Sequence, residues 1–176
     1  MPRFLLTLLI LITSAVTLLA EKAPDFSLTD LDGKRFRLSE ALNHGPVLVD
    51  FWATWCKPCL QELPHVNKLN TKFRNNGLQT VAITIDSPKS QSKVKPFIRG
   101  SGYEFRVLLD QDMEVRKLFG GKDVPLTLLI DKNGEVIFRH LGYVPGDEKS
   151  LAEKVGSLFE SAAKNSTEKD PSLSKE

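Results

Sequence analysis

The chain of 176 residues is poor in the residue types that build most functional sites: it has two cysteines, three histidines, two tryptophans, two tyrosines and two methionines. Two cysteines exclude a framework of several disulfides, and histidines scattered at 44, 65 and 140 offer no compact metal-ligand run. Excess charge of one sign is missing as well. The formal net charge is +2, it falls to +1 once Arg3 is set aside, and lysines and glutamates are interspersed. No field is therefore available to gather nucleic acid. No Gly-rich phosphate loop is present to hold a nucleotide, so no cofactor is expected. There is no internal repeat. With 41% hydrophobic and 26% charged residues, the chain suits one soluble globular domain and leaves no room for a second of comparable size.

One long hydrophobic run exists, the 17 uncharged residues from Phe4 to Ala20 that follow Arg3. It is short of the roughly 20 apolar residues of a spanning helix and suits a secretory signal peptide over residues 1–20. A cut after Ala20 would place Leu18 at a position that favours small side chains, so a retained N-terminal membrane anchor is the other reading. No cysteine lies near Ala20 to carry a lipid. Either way the domain is expected outside the cytoplasm, periplasmic in a Gram-negative bacterium. In such an oxidising compartment a lone cysteine pair serves as a redox catalyst or as one structural staple. From Ala162 onward the sequence is polar and contains Asp170-Pro171, so residues 162–176 read as a disordered tail.

Between these ends, strand and helix patterns alternate. Pro24–Leu28 and Arg35–Leu38 flank Asp30-Leu31-Asp32-Gly33 as a short hairpin would, and Ser39 could cap a brief helix stopped by Gly45-Pro46. Val47–Trp52 reads as a buried strand. A helix follows with Pro58 in its first turn; Leu60, Leu63, Val66, Leu69 and Phe73 recur at helical spacing, Pro64 would kink it, and Asn75-Asn76-Gly77 ends it. Leu78–Ile85 is the next strand. Val94, Phe97 and Ile98 mark a helix, Phe105–Leu109 a strand, and Val115, Leu118 and Phe119 a short helix. Leu126–Ile130 and Glu135–Leu141 flank an Asn-Gly turn as a hairpin. Leu151, Val155, Leu158 and Phe159 share one face of a terminal helix. This order predicts an α/β fold with a mixed central sheet covered by helices on both faces.

The chemistry concentrates in Phe51-Trp52-Ala53-Thr54-Trp55-Cys56-Lys57-Pro58-Cys59, which holds both cysteines. A Cys-x-x-Cys at a strand-to-helix junction puts two sulfurs within bonding reach. The first sulfur stands at a helix N-terminus, where unpaired amides and Lys57 favour a thiolate. Cys56 is thus the expected nucleophile, and Cys59, one turn further in, the resolving thiol, which must lose a proton before it can displace a captured partner. Asp50 interrupts the apolar strand six residues before Cys56. A carboxyl buried there responds with a raised pKa, as a proton acceptor working near neutrality needs. A strand-edge Asp50 facing water is the plain alternative.

Trp55-Cys56-Lys57-Pro58-Cys59 resembles the thioredoxin active-site motif. Its continuation Leu60-Gln61-Glu62-Leu63-Pro64 is similar to the extracytoplasmic branch that includes the TlpA and ResA proteins, and the similarity spans about residues 23–161. The resemblance implies a thioredoxin fold with an N-terminal hairpin extension. Cys56 and Pro125 stand 69 positions apart, longer than in minimal thioredoxins, which fits a helix-strand insertion between Ser87 and Leu109. It also implies that Asp50 serves Cys59 through water and that Pro125 is a cis-proline packed against the dithiol. The Val124 backbone would then pair with an extended client segment. Trp55, Lys57 and Pro58 would border that client, with Pro58 limiting loop flexibility and Lys57 tuning the potential. Trp52 flanks the site or belongs to the core, and Glu62 holds a position typical of the branch or is an exposed helix acid. The family often has threonine directly after this proline, whereas here Leu126 precedes Thr127.

The implied function is a thiol-disulfide oxidoreductase reducing protein disulfides, with apocytochrome c a candidate client and a membrane protein the electron donor. Two other readings share parts of the pattern. Cys56, Cys59 and His140 could form a copper(I) site, although thioredoxin-fold copper chaperones carry three residues between their cysteines. Ala23-Pro24-Asp25-Phe26 also occurs in peroxiredoxins, but those enzymes need a proline and a threonine where Val49 and Ala53 stand.

Overall fold

The computed structural model describes residues 21–168, with side chains to residue 161, so the apolar run read as a signal or anchor lies outside the described residues. Seven strands form one mixed sheet: β1 Ser27–Asp30, β2 Arg35–Arg37, β3 Val47–Trp52, β4 Gln79–Thr84, β5 Arg106–Leu109, β6 Leu126–Ile130 and β7 Val136–Leu141. They lie in the order β2-β1-β5-β4-β3-β6-β7, parallel through β3, β4 and β5 and antiparallel elsewhere. Five helices accompany them: α1 Leu38–Leu42, α2 Lys57–Phe73, α3 Val94–Ser101, α4 Glu114–Leu118 and α5 Glu148–Glu168.

β3 is the middle of the core, and all six of its residues are buried. Alternation along a strand sends successive side chains to opposite faces, so β3 serves two separate layers. Val47, Val49 and Phe51 belong to the face where Phe51 packs on Phe119, just past α4, and Phe119 meets Phe26 edge-on. Leu48, Asp50 and Trp52 point to the other face, where Trp52 packs on Phe97 of α3 and Phe73 of α2 stacks on Phe159 of α5. Phe51 and Trp52, fully buried, each contribute about 1.5–3 kcal/mol through the apolar surface they remove from water. Asp50 is therefore the odd residue of a strand whose other five members are apolar, and it sits inside the sheet, not at an edge facing water.

The hairpin extension and the insertion both occupy their expected places. β1 and β2 pair antiparallel, α3 and β5 form the inserted unit, and β1 joins the two by pairing with β5. That junction is fastened by Asp30, which accepts hydrogen bonds from the Asp32 and Lys34 amides and pairs with Arg106 at 2.8 Å. The chain enters β3 through Gly45, whose φ of +147° and approach to Gly77 leave no room for a side chain: a Cβ would stand 2.2 Å from the Gly77 carbonyl oxygen.

Two local expectations are corrected. Ser39 does not cap α1; Asp25 does, accepting from the Ser39 amide at 2.9 Å and the Ser39 hydroxyl at 3.0 Å, a long-range contact that local sequence rules do not reveal. Pro64 lies inside α2, which runs from Lys57 to Phe73 as one element. Residues 162–168, read as the start of a disordered tail, are helical, because once Leu151 and Val155 anchor α5 in the core, Ala162-Ala163-Lys164 are good helix formers that extend it; the rest of that stretch lies outside the described residues.

Candidate active site

Helix α2 begins at Cys56, whose extended backbone (φ −88°, ψ 100°) makes it the N-cap and whose sulfur accepts a hydrogen bond from the Cys59 amide at 3.2 Å. Pro58 fits the first turn because its missing N–H is one of those a helix start leaves unused. Cys56 and Cys59 are joined by a disulfide across Cα atoms 5.3 Å apart. In this oxidised pair Cys59 is fully buried, while Cys56 retains slight exposure beside Trp55, which is 63% exposed. Lys57 is exposed at the rim, and Trp52 belongs to the core.

Two features hold the loop that carries Cys56. The Val124-Pro125 peptide is cis, and the Val124 carbonyl oxygen lies 3.6 Å from the Cys56 sulfur. On the other side Asp86, fully buried just past β4, accepts from the Thr54 amide (2.8 Å), the Thr54 hydroxyl (2.7 Å) and the Thr84 hydroxyl (2.8 Å). Burial alone would push the Asp86 carboxyl upward, but these donors, with Ser90 beside them, outweigh it and hold Asp86 below the usual carboxylate range. Asp86 is thus an ionised clamp on the segment preceding the disulfide. Nothing local in the sequence marks Asp86 for this role, because its partners come from two different strand ends.

Beneath the disulfide lies a second acidic group. Asp50 pairs in register with Thr127 of β6, so their side chains share one face. Glu62 comes down on that face from α2, three residues after Cys59 and hence on the same side of the helix. Thr127 Oγ1 lies 2.7 Å from Glu62 Oε1 and 3.3 Å from Asp50 Oδ1. A hydroxyl has only one proton to give. Both contacts are hydrogen bonds only if Thr127 donates to one carboxylate and accepts from the other in its protonated form. The second oxygens, Asp50 Oδ2 and Glu62 Oε2, have no partner among the described residues.

The electrostatics agree with a shared proton. Burial pushes the Asp50 carboxyl well above its usual range, and the nearby Glu62 charge pushes it further, against the pull of the Thr127 hydroxyl. Burial also raises Glu62, to about 7, with Thr127 and His140 drawing it down. Two carboxylates this close cannot both ionise in a dry interior. One of the two carboxyls therefore keeps a proton while the other ionises, with the Thr127 hydroxyl between them. Glu62 is no exposed helix acid; the clue in the sequence was its place one turn past Cys59 and beside Leu63 on the apolar side of α2. Thr127 carried no signal except its displacement by one residue from the expected position. That displacement is what matters: alternation turns Leu126 to one face and Thr127 to the face of Asp50 and Glu62.

Of the residues singled out in the sequence, the structure brings Cys56, Cys59, Trp55, Lys57 and Pro58 together at the start of α2, with Val124 against Cys56 and Asp50 below. It does not bring His140 into that group. His140 bonds Asp147 at 3.0 Å, and no cluster of three or more His, Cys, Asp or Glu side chains fit for a metal ion occurs among the described residues. Val49 and Ala53, where a peroxiredoxin needs proline and threonine, are fully buried apolar residues.

A Cys-x-x-Cys disulfide on the first turn of a helix, facing the Val124-Pro125 loop across a sheet of this topology, defines a thioredoxin-fold dithiol-disulfide protein. Residues 19–139 match the AhpC/TSA family. The chain is 35% identical over 124 residues to the thiol-disulfide oxidoreductase ResA of Bacillus anthracis, with 70% of each chain covered. It is 33% identical over 143 residues to the ResA of Halalkalibacterium halodurans, covering 81% of this chain and 78% of that one. Among solved structures it matches a candidate thiol:disulfide interchange protein DsbE from Chlorobium tepidum with a TM-score of 0.73 and 34% identity, over 80% of this chain and 96% of the other. The chain belongs to the AhpC/TSA family, within its ResA-like thiol-disulfide oxidoreductases.

Proposed function

We propose that the protein works outside the cytoplasm as a reductant of disulfides in exported protein clients. The observation that carries the direction is the buried Asp50–Thr127–Glu62 group, set one helical turn from the resolving cysteine. In the reduced protein the Cys56 thiolate, stabilised by the first-turn amides, attacks a client disulfide; one client sulfur leaves as a thiolate and Cys56 becomes the mixed-disulfide partner. Cys59 then gives its proton to the ionised member of the acidic group. Its thiolate displaces the second client sulfur from Cys56, restoring the Cys56–Cys59 disulfide and leaving the client with two thiolates, which take up protons from water. Two electrons pass to the client. An acceptor near pH 7 suits that proton transfer, because a carboxylate of ordinary pKa would be too weak a base.

Trp55, Lys57 and Pro58 on one side and Val124 with Pro125 on the other form the client-facing rim, where main-chain pairing to Val124 would orient an extended segment. The basic-then-apolar residues 1–20 support export or anchoring. The likeness to proteins named ResA supports a client of the apocytochrome c kind and a membrane protein as the source of reducing equivalents. Among the described residues no helix is long and apolar enough to cross a membrane.

Asp50→Asn tests the assignment. The variant is expected to keep the rate of Cys56 alkylation within about two-fold and to lose about 10²-fold in the turnover of a protein disulfide, because the acceptor works only as a pair of carboxyls sharing one proton. Unchanged turnover would remove Asp50 from the proton path.

A further inference from the structure

The acidic group beneath the disulfide is closed off by protein on most sides, but one row of side chains leads from it to the surface. Across β4, β3, β6 and β7 the register sets Ala82, Asp50, Thr127 and His140 side by side. Register partners share a face, so Asp50, Thr127 and His140 form a polar row within the sheet face covered by α2. β7 is the edge strand, and the His140 side chain is 36% exposed there. Its Nε2 is held by Asp147 Oδ2 at 3.0 Å, and the same Asp147 oxygen accepts from the Val144 amide at 2.9 Å. His140 is therefore a fixed imidazole with one end at the solvent boundary and its strand neighbour in contact with both buried carboxyls.

We propose that His140, fixed by Asp147, carries the proton between the buried Asp50–Thr127–Glu62 group and solvent, acting as a positioning residue through Glu62. This rests on the reductant reading given above and adds the route by which the proton taken from Cys59 leaves. The balance is simple: Cys59 loses one proton, Glu62 gains it, and His140 passes it to water at the sheet edge, so that Glu62 is ionised again for the next turnover.

The surrounding groups leave this place to His140. Asp147 is held below the usual carboxylate range, first by the Val144 amide and also by His140. Glu148, at the start of α5, is held low chiefly by the Gly146 amide and binds the Tyr143 hydroxyl at 2.9 Å. Tyr143 is pushed up to about 12 by burial, by Glu148 and by the charges of Glu62 and Asp147, so it keeps its proton. Imidazole is the side chain that takes up and releases a proton near neutrality. His65 on α2 is the other imidazole nearby, but its ring packs on Tyr143 with centroids 6.1 Å apart, which makes His65→Gln the matched control. The charge of His140 also draws Glu62 downward, so its removal has a predictable sign.

The test uses the full chain, reduced, with insulin as the disulfide probe between pH 5.5 and 9. His140→Gln is expected to leave Cys56 alkylation unchanged, to slow insulin reduction at pH 7 by about ten-fold, at the modest end of proton-transfer effects, and to move the rising limb of the pH profile upward. His140→Ala should regain activity on addition of imidazole, which can enter at the exposed edge; a merely structural loss would not respond. His65→Gln should behave as wild type. A wild-type rate and pH profile in His140→Gln would overturn the inference, and so would a loss in His140→Ala that imidazole leaves untouched. If the wild-type protein itself fails to reduce insulin or any other disulfide, the reductant reading falls, and that result is distinct from either of these.

Discussion

Cys59→Ser is expected to convert the protein from a catalyst into a trap. Cys56 keeps its place at the N-terminus of α2 and attacks client disulfides as before, but a serine hydroxyl cannot displace the captured sulfur. Turnover of a protein disulfide should fall by at least about 10³-fold, the loss typical when a group that reacts directly is removed. Mixed disulfides with Cys56 should accumulate and be recoverable from cells under acid quench, separable by adding reductant. Cys56 is the one cysteine left in that variant, so every adduct should map to it, and because Cys59 is fully buried a Cys56→Ser variant should form few. Recovery of clients from a Cys56→Ser variant in comparable amount would contradict the division of labour between the two sulfurs.

The second large effect is on stability. Glu62 titrates near 4.5 in an unfolded chain and near 7 in the folded protein. The folded state thus holds this proton more tightly, and the stability it brings is fully present below pH 4.5 and is lost as pH rises to about 7. The shift amounts to about 3 kcal/mol at about 1.4 kcal/mol per pH unit. Glu62→Gln keeps the shape, removes the titration, and is expected to unfold in denaturant like the wild type near pH 4.5 while gaining stability at pH 8 of the order of that shift. Its turnover should drop at the same time, so activity and stability move in opposite directions, as at other sites where a costly buried charge is retained for chemistry. Parallel stability curves for the two proteins from pH 4.5 to 8 would show that Glu62 is not the group whose ionisation strains the fold.

Much of this arrangement was legible in the sequence because it depends on local pattern. The pattern of apolar runs gave β2 to β7 within a residue at each end and β1 within three, the hairpin at Asp131–Gly134 followed from Asn-Gly, and the position of Cys56 followed from the strand-to-helix junction. The Asp50 anomaly was visible as a charge inside a six-residue apolar strand. What stayed hidden depends on pairing between distant segments. Asp25 caps α1 from fourteen residues away, and Asp86 clamps Thr54 from the end of the neighbouring strand β4. Thr127 links Asp50 to Glu62 only because β6 lies antiparallel to β3 in one particular register. A shift of that register by one residue would bring Leu126 or Leu128 to face Asp50, and the shared proton would have no bridge. No periodicity fixes such a register, and so no inspection of one segment at a time could find the acidic pair.

The account rests on Cys56 being the sulfur that starts every exchange. The direct measurement is the rate of alkylation of the fully reduced protein by iodoacetamide across pH 5 to 9, with each modified cysteine located by mass. The account predicts that at pH 7 Cys56 reacts much faster than an ordinary cysteine thiol while Cys59 stays protected. Reaction at Cys59 first, or no reaction of Cys56 at neutral pH, would contradict it.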